Sequence, residues 1–146
     1  MRARNAAIGL ALALIAVPAA AQSADGAKIY SRCAACHLAN GQGVPGAFPP
    51  LQKDVKSFAA KAEGRRYLVL VVTHGVSGPI KAEGKAYRGF MPPQSGLSDD
   101  QIAAVLNHVT AAAKPFTANE VAQLKASGAR LKPSQVAELN QKLVGP

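Results

Sequence analysis

The short segment at residues 33–37 constrains the possible folds and functions of this chain more than any other feature of its sequence. It reads C-A-A-C-H and contains both cysteines of the 146-residue chain, Cys33 and Cys36, with His37 directly after them. In a helix, residues three positions apart lie on the same face, about one turn from each other. Any chemistry that uses both thiols and the imidazole is therefore confined to one small surface.

Four kinds of chemistry use a C-x-x-C pattern. A C-x-x-C-H segment is typical of c-type haem attachment, in which the thiols bond to the haem vinyl groups and the histidine lies under the ring. A disulfide between Cys33 and Cys36 is an alternative in an oxidising compartment. A thioredoxin-like redox pair requires a preceding strand, and a zinc site requires two further ligands at matching spacing. We predict one covalent haem on Cys33 and Cys36, with His37 as an axial iron ligand.

The first 21 residues have the pattern of a secretory signal peptide. Arg2 and Arg4 precede an apolar run over residues 6–21, which ends in small residues. The run is shorter and richer in alanine than a membrane span, which needs about 20 apolar residues. We predict cleavage after residue 21, export to the periplasm and no membrane span in the mature chain. An uncleaved N-terminal anchor is the alternative.

The chain is basic, with 17 Lys and Arg residues against 8 Asp and Glu residues and a formal net charge of +9. Removal of Arg2 and Arg4 leaves 15 basic residues against 8 acidic ones, a net charge of +7. In an exported protein this charge favours redox protein partners with an acidic docking surface, and attraction to anionic lipid and plain solubility are the alternatives. Nucleic acid is not an expected partner, because aromatic residues for base stacking are few and tryptophan is absent.

Met91 is the predicted second axial ligand of the iron. Once Met1 leaves with the signal peptide, Met91 is the only methionine, and it lies in the segment G-F-M-P-P, where prolines stiffen the backbone. A thioether ligand raises the iron potential relative to a second histidine. The alternatives are that Met91 is a packing residue, or that His74 or His108 binds the iron.

Residues 33–37, the segment V-P-G-A-F-P-P-L at 44–51 and the M-P pair at 91–92 resemble the class I monohaem c-type cytochromes. The resemblance covers about residues 24–112. Within this class, the segments are most similar to the small cytochrome domains that accept electrons from periplasmic dehydrogenases. The resemblance implies an all-α cytochrome c fold of short helices around one haem. It also implies that the carbonyl of Pro49 accepts a hydrogen bond from His37 and so fixes the ring.

The same resemblance implies several packing contacts. Residues 65–74 are expected to form a helix ended by Gly75, although their β-branched residues favour a strand by propensity. Gly26 and Tyr30 are expected to pack the N-terminal helix across a helix at residues 99–112. Five residues are expected to line the haem crevice, although each is also a candidate for the core and Leu70 is the best core candidate: Leu51, Tyr67, Leu70, Tyr87 and Phe90.

The remaining patterns predict short helices joined by loops. A capping box at residues 98–101 predicts a helix start, and residues 77–96, rich in glycine and proline, are expected to form a long ordered loop. A second capping box at 117–120 and Pro133 predict two further helices. We assign residues 22–113 to a cytochrome c domain and residues 114–146 to a helical C-terminal extension. We expect this extension to wrap the domain, with a partner-docking element as the alternative.

The predicted function follows from the predicted coordination. With His37 and Met91 on the iron of one haem c, no position is open for a substrate, and the iron can cycle between Fe(III) and Fe(II) with little rearrangement. We predict a single-electron carrier of the periplasm and no enzyme. The alternatives are a dedicated cytochrome subunit of a periplasmic dehydrogenase complex, and a haem sensor in which Met91 is displaceable.

Overall fold

A computed structural model describes residues 24–145, so the predicted signal peptide at residues 1–21 lies outside the described residues. The described chain contains six α-helices and one two-stranded antiparallel sheet, which confirms the predicted helical class and adds a hairpin to it. Their bounds in chain order are α1 Gly26–His37, α2 Lys53–Ala59, α3 Ala62–His74, β1 Val76–Ala82, β2 Lys85–Met91, α4 Asp99–Thr110, α5 Ala118–Ser127 and α6 Pro133–Val144. No helix within residues 24–145 is long and apolar enough to cross a membrane.

Helices α1 and α4 cross at Gly26, as the sequence predicts. The Asp25 carboxylate caps α1 by accepting hydrogen bonds from the first backbone amides of the helix, and Ser98 and Gln101 form the predicted capping box of α4. A side chain on Gly26 would collide with the backbone carbonyl of Ala104, so only glycine permits this close approach. The crossing fixes the orientation of α1 and therefore the position of its last turn, which contains Cys36 and His37.

Helix α3 forms despite the strand propensity of its sequence. Val69 and Leu70 have no solvent exposure, and the helix lies in the main hydrophobic core between α2, α4 and the C-terminal helices. Burial of these side chains outweighs the small propensity differences. The helix ends at Gly75, whose φ of 74° and ψ of −179° lie in a region that is essentially accessible only to glycine.

The prediction of a long loop over residues 77–96 is wrong for most of its length. Strands β1 and β2 pair in an antiparallel hairpin, in which Val76 faces Met91 and Ala82 faces Lys85. The two residues between the strands, Glu83 and Gly84, have φ values of 49° and 77°, as a type I′ turn requires. The glycine and proline residues of this segment concealed the strands, because Pro79 is compatible with the outer edge of a sheet.

The C-terminal helices α5 and α6 pack on the same core. Phe116, Val121, Val136 and Ala137 are buried in it, and the two helices contact α3, α4 and β1. Arg65 of α3 joins the two parts of the chain through both carboxylate oxygens of Glu120, at 2.6 and 2.7 Å. Residues 114–145 therefore lie against the rest of the described chain and cover one side of the hairpin.

Candidate haem-binding site

One cavity lies between the end of α1, the loop at residues 47–51, helices α2 and α3 and the β1–β2 hairpin. Its volume is about 260 Å³, and most of the side chains around it are apolar. The five residues that the sequence singled out all line this one cavity: Cys33, Cys36, His37, Pro49 and Met91. The structure thus brings together residues that are up to 58 positions apart in the chain.

His37 is the last residue of α1 and is buried, with 6% of its surface exposed. Its Nδ1 lies 2.8 Å from the carbonyl oxygen of Pro49. A carbonyl can only accept, so Nδ1–H is the donor and the lone pair of the neutral ring is on Nε2. Burial lowers the pKa of His37, and the Pro49 hydrogen bond opposes this effect in part. Burial therefore favours the neutral imidazole, and the Pro49 hydrogen bond orients it so that Nε2 is available to bind a metal.

Cys33 and Cys36 lie one turn before His37, and neither thiol is in a disulfide. Cys33 is half-buried at the cavity wall and Cys36 is exposed at its rim. Burial raises the pKa of the Cys33 thiol, while the nearby positive charge of Arg32 lowers it. Arg32, which the sequence analysis did not single out, also lines the cavity beside these thiols.

Met91 is the last residue of β2 and lines the cavity, partly buried against the core. The two alternative ligands do not line it. His74 has its Nδ1 2.8 Å from the hydroxyl of Thr73, and His108 is exposed, with its ring 5.3 Å from that of Tyr30. Met91 is therefore placed to meet a group held by His37, and the two other histidines are not.

Four of the five residues expected around the crevice do line the cavity: Leu51, Tyr67, Tyr87 and Phe90. Leu70 is instead a fully buried core residue. It packs so closely against Gly128 of the C-terminal extension that a side chain at position 128 would collide with it. The sequence analysis missed Asn140, a buried residue of α6 that lines the cavity. One signal was available, because Asn140 is four positions after Val136 and so places an amide on the apolar face of that helix.

These residues fit a covalently held haem. The apolar walls suit a flat macrocycle, the two unbridged thiols are at one side of the cavity, and the neutral His37 ring is buried beside them. His37 and Met91, the two candidate iron ligands, both belong to the lining of this cavity.

Comparison with known proteins agrees with this geometry. Residues 23–113 match the family model described as cytochrome c. The chain is 49% identical over 129 residues to cytochrome c-552 from Thermus thermophilus, a match that covers 82% of this chain and 97% of that protein. A second cytochrome c-552, from a particular strain of Thermus thermophilus, is also 49% identical over 129 residues, covering 82% of this chain and 86% of that protein. This chain belongs to the cytochrome c family.

Family membership confirms several predictions made from the sequence. The chain is a class I monohaem c-type cytochrome with the cytochrome c fold, and covalently bound haem c is its cofactor. Residues 33–37 fit the C-x-x-C-H attachment motif of that cofactor. The protein is an electron carrier, and its partners are other redox proteins.

Proposed function

We propose that this protein is a periplasmic single-electron carrier whose haem is bonded to Cys33 and Cys36 and whose iron is bound by His37 and Met91. The observation that carries the proposal is the position of these four residues around one apolar cavity. Both a nitrogen ligand, His37, and a thioether, Met91, are available in the lining of this cavity. This pair of ligands is the one that raises the potential of a c-type haem.

Each residue has a separate task in this proposal. Cys33 and Cys36 would form the covalent bonds, Pro49 holds the His37 ring through Nδ1, and Met91 would supply the second iron ligand. When bound, haem supplies an iron that alternates between Fe(III) and Fe(II). The apolar wall excludes water from the cavity, and the rigid helix and hairpin keep both ligands in place during electron transfer.

The proposed coordination also explains why we assign no enzymatic reaction. Ligands from His37 and Met91 leave no site on the iron for oxygen, peroxide or another substrate. The function then consists of accepting one electron and passing it to another protein.

We further propose that the protein acts after export. The pattern of residues 1–21 is that of a cleaved signal peptide, and bacteria attach c-type haem outside the cytoplasm. Export and covalent haem attachment thus support each other.

Docking is proposed to occur where basic side chains surround the haem edge, against an acidic partner surface. Four exposed basic residues lie on the hairpin or on α2 beside it: Lys53, Lys81, Lys85 and Arg88. Lys81 also lines the cavity. Since the chain without residues 1–21 carries a net charge of +7, charge attraction would steer such a partner toward this edge.

Two measurements on the purified holoprotein test the proposal. Acid–acetone extraction should leave the haem with the protein, and the intact mass should equal the mature chain plus one haem. The oxidised protein should show the near-infrared charge-transfer band of methionine bound to Fe(III), and the reduced protein should not bind carbon monoxide. A mass equal to the polypeptide alone would refute the covalent attachment, and rapid carbon monoxide binding would refute Met91 as a permanent ligand.

A further inference from the structure

The C-terminal helix α6 covers the outer edge of strand β1. The Asn140 side chain uses its Oδ1 to accept a hydrogen bond from the backbone N–H of Lys81 at 2.8 Å, and its Nδ2 donates to the carbonyl of the same residue at 3.1 Å. One position after Asn140, the Gln141 side chain donates to the carbonyl of Pro79. Asn140 therefore supplies the two hydrogen bonds that a third strand would give to an open sheet edge.

Asn140 also reaches the haem cavity. It is 2% exposed and lines the cavity, although it lies more than 100 residues after Cys36 in the chain. Tyr67 of α3 lines the same cavity. Burial raises the pKa of Tyr67 to about 12, and the Asn140 side chain opposes that rise. Asn140 thus links the outer edge of β1 to the cavity wall.

The hairpin that Asn140 holds is the element that carries Met91. Strand β1 pairs along its whole length with β2, whose last residue is Met91. The turn at the other end is anchored on α2, where the N–H of Glu83 donates to the Asp54 carboxylate at 2.6 Å and the Glu83 carboxylate accepts from the N–H of Lys53 at 2.7 Å. The turn and the outer edge of β1 therefore each have a separate polar anchor.

We propose that Asn140 is a positioning residue of the haem site, which fixes the β1–β2 hairpin and thereby holds Met91 against the iron. The inference rests on the proposed ligation by Met91. It assigns the C-terminal extension a role in the cofactor site in addition to covering the core. Asn140 acts through the backbone of Lys81, not by contact with the reacting iron.

Competition between Met91 and added imidazole for the Fe(III) of the holoprotein tests the proposal. Asn140→Leu keeps the volume of the side chain and removes both hydrogen bonds to Lys81. We expect imidazole to bind this variant about tenfold more tightly than wild type, equivalent to about 1.4 kcal/mol of weakened Met91 binding. The reduction potential should fall in parallel, because the thioether ligand favours Fe(II).

Glu120→Gln is the matched control, because it weakens another polar link between the tail and the core, away from the cavity lining. Its imidazole affinity should stay within about twofold of wild type, since distant sites act independently. Denaturant unfolding of both variants shows whether they lose comparable stability. If Asn140→Leu stays within twofold of wild type, or if Glu120→Gln tightens imidazole binding equally, Asn140 has no special role in positioning.

A second variant tests the proposal if Asn140→Leu does not accumulate as a haem-containing protein. Asn140→Ser keeps one hydrogen-bonding group and should give tighter imidazole binding than wild type by a smaller factor; an affinity equal to wild type would overturn the inference. The wild-type spectrum separates the two proposals. If the near-infrared band is missing from wild type, the ligation by Met91 is wrong, whereas a wild-type band with no response to either Asn140 variant overturns only the positioning role.

Discussion

The two sides of the haem cavity are built in different ways. On one side, Cys33, Cys36 and His37 occupy the last turn of α1, and the hydrogen bond that orients His37 spans only 12 residues of chain. On the other side, Met91 ends a hairpin whose outer edge is held by Asn140 through hydrogen bonds that span 59 residues. The histidine side is therefore specified locally, whereas the methionine side depends on the whole fold.

This difference predicts an order of failure. The histidine side combines helix hydrogen bonds, a short loop and two covalent bonds to the haem in the proposed holoprotein. The methionine side is held by non-covalent contacts alone, and different parts of a protein open with different free energies. Partial destabilisation should release Met91 from the iron before it disturbs His37. The following substitutions test this comparison.

The largest effect is expected on the histidine side from the double substitution Cys33→Ser with Cys36→Ser. Serine preserves the size of each side chain but forms no thioether, so the covalent attachment should be lost completely. Acid–acetone extraction should then remove all haem from the protein, whereas wild type should retain it. Met91→Ala serves as a control, because it should keep the haem bound through extraction. Haem that stays covalently attached in the double variant would show that these thiols are not the attachment sites.

Met91→Ala tests the other side directly. We expect the near-infrared band to disappear and carbon monoxide to bind the reduced iron. The reduction potential should decrease, because axial ligands shift haem potentials over a range of roughly 0.8 V. The fold should persist, because the histidine side still holds the haem. His74→Ala and His108→Ala are matched controls and should leave spectrum and potential unchanged. An unaltered spectrum in Met91→Ala would mean that one of these histidines is the ligand.

Arg65→Ala should destabilise the molecule without favouring either side of the cavity. The buried guanidinium bonds Glu120 and the carbonyls of Ala59 and Lys114, and lies 3.7 Å above the ring of Phe116. Because the remaining Glu120 side chain is partly exposed, the loss should be smaller than the loss of about 3–5 kcal/mol for a fully buried pair. Denaturant unfolding followed by haem absorbance and by circular dichroism should shift both transitions to lower denaturant concentration by the same amount. A wider interval between release of Met91 and loss of helix in this variant than in wild type would contradict this prediction.

The same ion pair predicts a pH dependence. The hydrogen bond from Arg65 holds the pKa of Glu120 below its ordinary value. A carboxylate with a lowered pKa in the folded state stabilises the protein above its unfolded pKa, near 4.3, and this contribution is lost as the pH falls through the folded value. In Glu120→Gln the unfolding free energy should therefore decrease less between neutral pH and acid than in wild type. Equal decreases would show that Glu120 is not linked to stability.

Gly75→Ala should weaken the methionine side selectively. Gly75 has a φ of 74°, and a side chain there would collide with the backbone carbonyl of Met91. We expect a loss of about 1–3 kcal/mol of stability together with a weaker near-infrared band. Gly46→Ala is the matched control, because Gly46 also has a positive φ, of 80°, but its side chain would meet no atom within 4 Å. It should cost stability by strain alone and leave the band intact, and equal loss of the band in both would contradict selectivity.

The two sides also differ in how far the sequence predicts them. The helical class followed from short local motifs, whereas the α1–α4 crossing at Gly26 and the Pro49–His37 contact followed from the family resemblance. The hairpin and Asn140 did not. Glu83-Gly84 is a weaker turn signal than Asn-Gly or Asp-Gly, and nothing in the local sequence shows that the amide of Asn140 meets Lys81. Long-range pairing has no local signature of comparable strength.

The smallest expected effect concerns docking at the exposed edge of the methionine side. Lys81→Glu reverses one exposed charge at the cavity, and it should slow oxidation of the reduced protein by hexacyanoferrate(III), an anionic stand-in for an acidic partner. We expect a decrease of up to about tenfold at low ionic strength, because charge steering acts over longer distances when screening is weak. Stopped-flow absorbance at several salt concentrations measures it.

Lys61→Glu is the control for the change in net charge, because Lys61 is exposed at the start of α3 and does not line the cavity. At physiological ionic strength charges are screened beyond about 8 Å, so only a charge close to the site of electron transfer should still matter there. Lys81→Glu should therefore remain slower than Lys61→Glu at that salt concentration. If both variants slow the reaction equally at every salt concentration, the net charge of the whole molecule steers the oxidant and the hairpin is not a specific docking edge.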